Sequence, residues 1–265
     1  MKYKKSMILL LLAIFIFSIA TVNAGDMNDT TSEGIMQMEP VTLKTTENEI
    51  ITDNPNTFSQ LDKDINAPHD TFEMKYDYTF SNETDSGPVV INKSDFTING
   101  NNHVLDANMQ SGIFKITGSN ITINNLIFIN GNSNKGGAIY ATGHITLNNV
   151  TFIGNNAIYG GAILIYGSIL NCAGSRFIDN YGEWGSSIFS QNSTLKVSNS
   201  SVTSHSTGKY GQIYATDSSV SIDDSDFINI TSAYASALYF ENSKVQLLIP
   251  DSLTLQPRNP QEQLS

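Results

Sequence analysis

The side chains best suited to polysaccharide chemistry are Asp223, Asp224 and Asp226, with Arg176 and Lys196 as nearby cations. Glycan cleavage needs two carboxyl groups about 5–10 Å apart, or a calcium site beside a basic residue. In the repeat derived below, Arg176 and Asp226 take one outward position two coils apart, so about 10 Å separates them. That is too far for a direct pair, and Asp223-Asp224 falls at a polar turn. An enzyme of the polysaccharide lyase or glycoside hydrolase type is therefore the least favoured function.

Histidine and cysteine give no sign of a metal or nucleophilic site. His69, His103, His144 and His205 occupy unrelated positions of the repeat, so we expect no metal cluster and no cofactor. Cys172, the one cysteine of the chain, falls at an inward position of the repeat and is interpreted as a small buried hydrophobe. A single cysteine also excludes an internal disulfide framework.

The elements that would position such residues are set by an internal period of 24–25 residues. Four sets of apolar residues keep this spacing along the chain. The first set is Phe128, Phe152, Phe177, Val202 and Phe227, and the second is Ile139, Ile163, Ile188, Ile213 and Leu238. The third is Ile123, Leu147, Cys172, Val197, Ile222 and Leu247, and the fourth is Ile121, Ile145, Leu170, Leu195, Val220 and Val245. Phe96, Ile98 and Phe114 lie one period upstream.

Within each period the apolar residues alternate, which indicates short strands rather than helices. One repeat cannot bury its own apolar face, but coaxial stacking pairs each strand with its equivalent about 4.8 Å away. We therefore predict an all-β fold: a single-stranded, right-handed parallel β-helix of about six coils, from Phe96 to Lys244. The coils are assigned to residues 96–249, and an irregular tail to 250–265.

Polar turns separate the strands. One repeated corner is occupied by Asn125, Asn149, Gly174, Asn199 and Asp224, residue types that tolerate the left-handed backbone region. Stacked asparagines there are expected to form hydrogen bonds from coil to coil. Paired glycines, Gly136-Gly137 and Gly160-Gly161, precede two strands, and later coils replace them by Gly185-Ser186, Tyr210-Gly211 and Ala235-Ser236.

The residues that immediately follow one inward row in the sequence form a candidate contact surface. If the Ile139 row points inward, the next residues point outward: Tyr140, Leu164, Phe189, Tyr214 and Tyr239. A row of exposed aromatic rings stacks on sugars or packs against a protein. The alternative is that the row stacks on itself or is covered by a loop.

A different pattern precedes the coils, in residues 57–95. Phe58, Leu61 and Ile65 have helical spacing after a suitable N-cap, Thr57. Phe72, Met74, Tyr76 and Tyr78 then alternate as in a strand. This segment is predicted to be a helix and strand that cap the first coil.

The first 24 residues are typical of a signal peptide: Lys2, Lys4 and Lys5, an apolar run from Met7 to Ala20, and small residues around Ala24. An uncleaved anchor helix is the alternative, although 14 apolar residues are short for a span that needs about 20. Residues 25–56 are acidic, rich in Thr and Asn, and without apolar period, so they are interpreted as a flexible acidic leader. The predicted localisation is secreted or cell surface, with membrane contact only through the signal segment before cleavage.

Charge excludes one class of partner. The chain has 14 basic and 25 acidic residues, so its formal net charge is −11. Cleavage of the signal segment would remove Lys2, Lys4 and Lys5 and change the net charge to 11 − 25 = −14. Such a chain has no positive field to attract phosphate backbones, so nucleic acid is not an expected partner.

Eight Asn-x-Ser/Thr sequons are present, at Asn28, Asn82, Asn92, Asn120, Asn149, Asn192, Asn199 and Asn229. An exported chain can carry glycans at such positions. Asn149 and Asn199 also fill the turn position, so the candidates for modification are Asn82, Asn92, Asn120, Asn192 and Asn229.

The repeat motifs resemble those of known surface proteins. GGAI at 136–139 and 160–163, with FIGN at 152–155 and FIDN at 177–180, is similar to the paired GGAI and FxxN repeats of chlamydial polymorphic outer-membrane proteins. The resemblance is closer to adhesin-like surface proteins of methanogenic archaea.

Those archaeal proteins are similar in having a TFSxL-type helix, a DYTF strand and an INKSDFTINGNNHVLDA-type first coil. The corresponding residues here are Thr57–Leu61, Asp77–Phe80 and Ile91–Ala107. The resemblance covers about residues 57–200 and implies an exported right-handed parallel β-helix of adhesin-like type. It implies no catalytic residues. Relatives of this kind usually continue into further repeats or anchoring modules, whereas here prolines follow the Val245–Ile249 strand.

We therefore expect an exported adhesin-like protein whose partner is a cell-surface glycan or protein. The first alternative is a structural or spacer solenoid, or a truncated remnant of a longer adhesin, without a ligand of its own. The second is a β-helix enzyme that acts on polysaccharides.

Overall fold

The computed structural model describes residues 56–204, 208–230 and 237–248. Outside the described residues lie the predicted signal peptide, the predicted acidic leader up to residue 55 and the predicted tail from residue 249. The same holds for Asn28, His205 and Ala235-Ser236. The described part contains one helix, α1 (Phe58–Asn66), and 25 strands, numbered β1 to β25 in chain order. In the described part of the chain, no helix is long and apolar enough to cross a membrane.

The strands form four parallel sheets. The first sheet contains, in spatial order, β1 (Thr71–Glu73), β4 (Phe96–Asn99), β7 (Ile121–Asn124), β11 (Ile145–Asn148), β15 (Ile169–Ala173), β19 (Thr194–Ser198), β22 (Ser219–Asp223) and β25 (Lys244–Leu248). The second contains β3 (Val89–Ile91), β6 (Phe114–Ile116), β10 (Ile139–Ala141), β14 (Ile163–Tyr166), β18 (Ile188–Gln191), β21 (Ile213–Thr216) and β24 (Leu238–Glu241).

The third sheet contains β2 (Tyr78–Thr79), β5 (Val104–Asp106), β8 (Ile127–Ile129), β12 (Thr151–Ile153), β16 (Arg176–Ile178), β20 (Ser201–Thr203) and β23 (Asp226–Ile228). The fourth, smaller sheet contains β9 (Asn132–Lys135), β13 (Asn156–Tyr159) and β17 (Tyr181–Trp184). Because the chain visits the first, third and second sheets once per coil, and the fourth sheet in three coils, the fold is the predicted parallel β-helix. The fourth sheet was not expected, since only about three strands per repeat were predicted.

The predicted registers are confirmed residue by residue. Phe128 pairs with Phe152 and Phe152 with Phe177, and their rings stack at centroid distances of 5.1 and 4.9 Å. The isoleucine row from Ile139 to Ile213 pairs in the same way in the second sheet. These inward side chains are almost completely buried, and each fully buried one contributes roughly 1.5–3 kcal/mol.

The stack begins one coil earlier than the sequence indicates. Strands β1, β2 and β3 pair with β4, β5 and β6, so the predicted capping segment forms a coil itself and the total is about seven. The alternation from Phe72 to Tyr78 is not one strand, because β1 ends at Glu73 and β2 begins at Tyr78. Tyr76, between them, is 57% exposed.

Helix α1 covers this first coil as predicted. Phe58, Leu61 and Ile65 are buried, and Thr57 is the N-cap, whose Oγ1 accepts a hydrogen bond from the amide of Gln60 at 3.3 Å. A second cap comes from Asp85, whose carboxylate accepts hydrogen bonds from the amides of Phe58, Ser59 and Ser81. Burial alone raises the pKa of Asp85, but these hydrogen bonds outweigh it and hold that pKa below its usual value.

The corner residues adopt the left-handed backbone that was predicted for them. Asn125, Asn149, Gly174, Asn199 and Asp224 have φ values between 41° and 61°. The asparagine ladder, however, lies mainly one residue earlier. There Asn124 donates to Asn99 and Asn148 donates to Asn124, both at 2.9 Å, whereas at the corner itself Asn149 reaches Asn125 only at 3.4 Å.

The paired glycines form the turn that leads from the fourth sheet into the second. Gly160 has a φ of 65°, and a Cβ atom there would lie 2.0 Å from the carbonyl oxygen of Ile163. A Cβ atom at Gly161 would lie 2.2 Å from the carbonyl oxygen of Ser186. Glycine is therefore required by close backbone contact as well as by conformation.

Two buried asparagines form the turns that lead into the fourth sheet. The side chain of Asn155 accepts from the amide of Gly131 at 2.8 Å and donates to the carbonyl of Phe128 at 3.1 Å. One coil later, Asn180 accepts from the amide and side chain of Asn155 and donates to the carbonyl of Phe152. These are the last residues of the FIGN and FIDN motifs. The motif asparagine thus satisfies buried backbone groups where the chain leaves the third sheet.

Burial declines toward the last coil. In the first sheet Val220 and Ile222 are 2% and 5% exposed, but their partners Val245 and Leu247 are 41% and 49% exposed. Strand β25 therefore ends the described stack with its inward positions only partly covered.

Candidate functional site

The outward aromatic row exists and follows the predicted spacing. Its members, here called the floor row, are Tyr140, Leu164, Phe189, Tyr214 and Tyr239, each paired with the next across the second sheet. Phe189 stacks on Tyr214 with centroids 5.2 Å apart, and Tyr214 stacks on Tyr239 at 4.9 Å. The aromatic ladder is interrupted at one coil, by Leu164.

The expectation that this row faces solvent is wrong for its centre. Leu164, Phe189 and Tyr214 are only 5%, 6% and 3% exposed, and they form a second hydrophobic cluster outside the main core. Tyr140 and Tyr239, at the two ends of the row, are partly buried. The physical reason is the fourth sheet, which turns back over the second sheet and covers the floor row.

The covering residues, here called the wall row, are Lys135, Tyr159, Trp184 and Tyr210. Lys135, Tyr159 and Trp184 are the last residues of β9, β13 and β17, and Trp184 is bridged to Tyr210 in the next coil. The floor row and the wall row together bound an aromatic trough that runs along the axis of the solenoid.

The C-terminal half of the trough is closed. Trp184 stacks on Tyr210 with centroids 4.1 Å apart and meets the Tyr214 ring edge-on at 5.3 Å. Tyr210 meets Tyr239 edge-on at 5.5 Å. The Tyr214 hydroxyl donates a hydrogen bond to Glu241 Oε2 at 2.7 Å. Burial and this carboxylate both raise the pKa of Tyr214.

The N-terminal half of the trough is open, because leucine stands where the other four members of the floor row have a ring. A cavity of about 360 Å³ lies above Leu164. Its lining consists of Lys135, Tyr140, Tyr159, Leu164, Tyr166, Phe189 and Gln191. Tyr166 and Gln191 are paired residues of β14 and β18 that stand beside the floor row, opposite the wall row.

The cavity combines ring faces with polar groups. Tyr159 meets the ring of Phe189 edge-on at 5.3 Å, and the Lys135 ammonium lies 5.7 Å from the centroid of the Tyr140 ring. Tyr159 and Tyr166 are 37% and 47% exposed, so their rings are accessible from solvent. Small-ligand sites in proteins share this combination of apolar walls and a few polar groups, at volumes of about 300–1,000 Å³.

The charged residues considered for polysaccharide chemistry are placed in register as expected. Arg176, Ser201 and Asp226 are successive partners in the third sheet, so Ser201 separates the two charges. Asp223 pairs with Ser198 and Lys196 with Ser221 in the first sheet. Five cavities in the described residues are lined neither by Arg176 nor by these carboxylates.

The histidines and the cysteine are also dispersed. His69 contacts the carbonyl of Asp64, His103 contacts the Asp77 carboxylate at 3.0 Å, and neither lies near the trough. Among the described residues no group of three or more His, Cys, Asp or Glu side chains is placed to hold a metal ion. Cys172 is buried on its inward row, and burial raises its pKa to about 11, so the thiol is protonated at neutral pH.

The sequon asparagines in the described residues are exposed or partly exposed. Asn82, Asn92, Asn120, Asn192 and Asn229 all lie on the surface, as candidate glycosylation sites must. Asn149 and Asn199 are exposed as well, although both also form left-handed corners.

Comparisons of the chain with protein-family models, with curated proteins and with solved structures found no match.

The sequence interpretation missed the wall row, Tyr166 and Gln191. A signal was present: Lys135, Tyr159 and Trp184 are separated by 24 and 25 residues, and Tyr210 follows 26 residues after Trp184. These residues were not recognised as a row, because they fall in a segment that the three-strand repeat assigns to a turn.

Proposed function

We propose that this protein is an exported, adhesin-like β-solenoid that contacts cells, glycans or surface proteins through the aromatic trough. The observation that supports the proposal is the open cavity above Leu164, lined by exposed tyrosines on a regular scaffold. Tyrosine is well suited to such contact, since it offers a large ring at low entropic cost together with a hydroxyl that forms hydrogen bonds.

The scaffold favours binding because it holds the rings in place before a ligand arrives. Coil-to-coil hydrogen bonds fix the second sheet where it leads into the first, along the row of Ser168, Ser193 and Ser218. Those of Asn155 and Asn180 fix the turns into the fourth sheet. A site that is rigid beforehand loses little entropy when it binds. Export is supported by the sequence alone, through the lysines and the apolar run of the first 24 residues.

A spacer solenoid without a ligand is the second candidate, and the polar ladders favour it. Ser175 donates its amide to Ser200, which donates to Ser225, in a row that continues from coil to coil. Such rows stiffen a rod whether or not the rod carries a binding site. Binding measurements separate the two candidates.

The test uses the full chain, fluorescently labelled, on glycan arrays and on intact cells. Replacing both Tyr159 and Tyr166 by serine should lower binding about tenfold or more, since it removes the two exposed rings of the cavity. The matched control is Tyr181→Ser, because Tyr181 is as exposed as Tyr166, at 47%, but does not line that cavity. The control should bind as the unaltered chain does.

Three results would contradict the proposal. Absence of any binding to cells or glycans would favour the spacer. An equal loss of binding in the Tyr181→Ser control would remove the trough as the contact surface. Release of new reducing or unsaturated sugar ends from the arrayed polysaccharides would favour the enzyme alternative.

A further inference from the structure

We infer that the cavity above Leu164 is a subsite for one pyranose residue that carries a carboxylate, such as a uronic acid of an acidic glycan. The inference rests on the proposed function and specifies its ligand. Three features carry it: a gap in the ladder of rings, an amphipathic lining, and a local positive charge.

The gap has the dimensions of one missing ring. Successive coils lie about 4.8 Å apart, so the rings of Tyr140 and Phe189, on either side of Leu164, stand about 10 Å apart. In the closed half a further ring fills each such interval, as Tyr214 does between Phe189 and Tyr239. Tyr140 packs against the Leu164 cluster but stacks on no other ring in the described residues, so beyond the shorter Leu164 side chain the interval lacks the ring that is present in the closed half.

The lining suits a sugar better than a purely apolar group. A pyranose ring has C–H faces that stack on aromatic rings and an equator of hydroxyl groups that form hydrogen bonds. The exposed rings of Tyr159 and Tyr166 offer apolar faces, while their phenol groups and the amide of Gln191 offer hydrogen bonds. Each kind of sugar surface thus meets a side chain of matching polarity.

The charge of the cavity above Leu164, here called the slot, differs from that of the whole chain. The chain carries a formal net charge of −11, but the lining contains one cation, Lys135, and no carboxylate. Lys135 forms no ion pair in the described part of the chain, and Lys115, the exposed partner of Tyr140 in β6, adds a second cation one coil beyond the lining. A carboxylate on the sugar would be attracted to this position and repelled by most of the remaining surface.

A ring-shaped side chain from a partner protein is the competing occupant. It would match the gap in the ladder, but it would leave Lys135 and Gln191 without polar partners. The test therefore includes a protein-free ligand.

The decisive variant is Leu164→Phe, which supplies the missing ring and fills the slot. The matched control is Leu164→Met, which conserves volume and leaves the slot open. The probes are trisaccharides of glucuronic, galacturonic and mannuronic acid, with the neutral glucose, galactose and mannose trisaccharides as counterparts. Affinities are measured by calorimetry on the full chain, and melting temperatures within about 4 °C of the unaltered chain show that each variant is folded.

We expect at least one acidic trisaccharide to bind about threefold tighter than its neutral counterpart, which is the size of one exposed charge pair. Leu164→Phe should weaken that binding about tenfold or more, and Leu164→Met should leave it unchanged. Lys135→Gln should abolish the preference for the acidic sugar while neutral binding persists.

The results that overturn the inference differ from those that overturn the proposed function. Sugar binding that survives in Leu164→Phe overturns the slot, and equal affinity for acidic and neutral sugars overturns the choice of ligand. If no trisaccharide binds but cell binding is lost in Leu164→Phe, the occupant is a protein side chain and the contact function stands. If the unaltered chain binds neither cells nor glycans, the proposed function itself falls.

Discussion

The two halves of the aromatic trough have the same backbone arrangement but differ in side-chain packing: the C-terminal half is closed and the N-terminal half is open. In the C-terminal half, Tyr214 is covered by Trp184 and Tyr210, and the interval between the two rows is closed by ring packing. In the N-terminal half, Leu164 takes the place of a ring in the floor row, and a cavity lined by Leu164 and Tyr159 remains. A solenoid presents each position again on every coil, so a binding site can arise where one coil lacks a side chain that its neighbours have.

The halves also differ in what holds the wall row in place. Trp184 and Tyr210 are supported by direct contact with the floor row. Tyr159 and Lys135 each contact one floor ring, Phe189 and Tyr140 respectively, but they also border the cavity and so depend more on the turns formed by the buried Asn180 and Asn155. Each half therefore has its own most sensitive residue.

The largest loss of stability is expected from Asn180→Ala, which tests whether the buried turn holds the wall of the cavity in place. The side chain of Asn180 accepts two hydrogen bonds from Asn155 and donates one to the carbonyl of Phe152. Removing it leaves buried backbone and side-chain groups unpaired, which should lower the free energy of unfolding by about 3 kcal/mol. Urea unfolding followed by circular dichroism measures this.

Asn156→Ala is the matched control for that variant. Asn156 donates a single side-chain hydrogen bond to Asn132, near the surface, and its loss should cost about 0.5 kcal/mol. Similar losses in the two variants would show that the buried turn does not hold the wall of the cavity.

The second effect contrasts Trp184→Ala with Tyr159→Ala, one wall residue from each half. Trp184 is partly buried against three rings, those of Tyr159, Tyr210 and Tyr214, so its truncation should lower the free energy of unfolding by about 2 kcal/mol. Tyr159 borders an empty cavity and is 37% exposed, so its truncation should cost about half as much. Thermal unfolding of both variants tests the difference.

Binding should follow the opposite order to stability. Tyr159→Ala should reduce glycan binding, whereas Trp184→Ala should leave it close to that of the unaltered chain. If one variant were the more damaging in both measurements, the division into a closed structural half and an open binding half would be wrong.

The sequence was sufficient for the coils, and the reason lies in the stacking of like residues. Phe128, Phe152 and Phe177 meet face to face because parallel strands repeat one position every coil, so a simple period predicts both register and burial. The left-handed corners followed from residue type alone, since asparagine and glycine accept positive φ at low cost.

Only part of the site could be predicted from the sequence, because the site depends on contact between two sheets as well as on the repeat spacing. The floor row could be read from its spacing, but its burial depended on how far the fourth sheet turns back over it. That path is set by the hydrogen bonds of Asn155 and Asn180, which join residues about one coil apart in the chain. The period shows where these asparagines recur but not which carbonyl each one reaches.

The smallest effect is expected from Tyr214→Phe, which removes the hydroxyl that donates to Glu241 in the closed half. At neutral pH the variant should lose about 1 kcal/mol, since the Tyr214 hydroxyl no longer donates to Glu241. Burial, then the Glu241 carboxylate, raises the pKa of Tyr214 in the folded chain above its unfolded value near 10. The stability from this shift is complete below about pH 10 and is lost as the pH rises further.

The free energy of unfolding should therefore fall less steeply above about pH 10 in Tyr214→Phe than in the unaltered chain. Part of the slope will remain, because burial and Asp64 also raise the pKa of Tyr78 beneath the N-terminal helix. Adding Tyr78→Phe should flatten the alkaline curve further. If the curves of the single variant and the unaltered chain ran parallel through this range, Tyr214 would ionise as freely when folded as when unfolded. The closed half of the trough would then be as open to solvent as the half that contains the cavity.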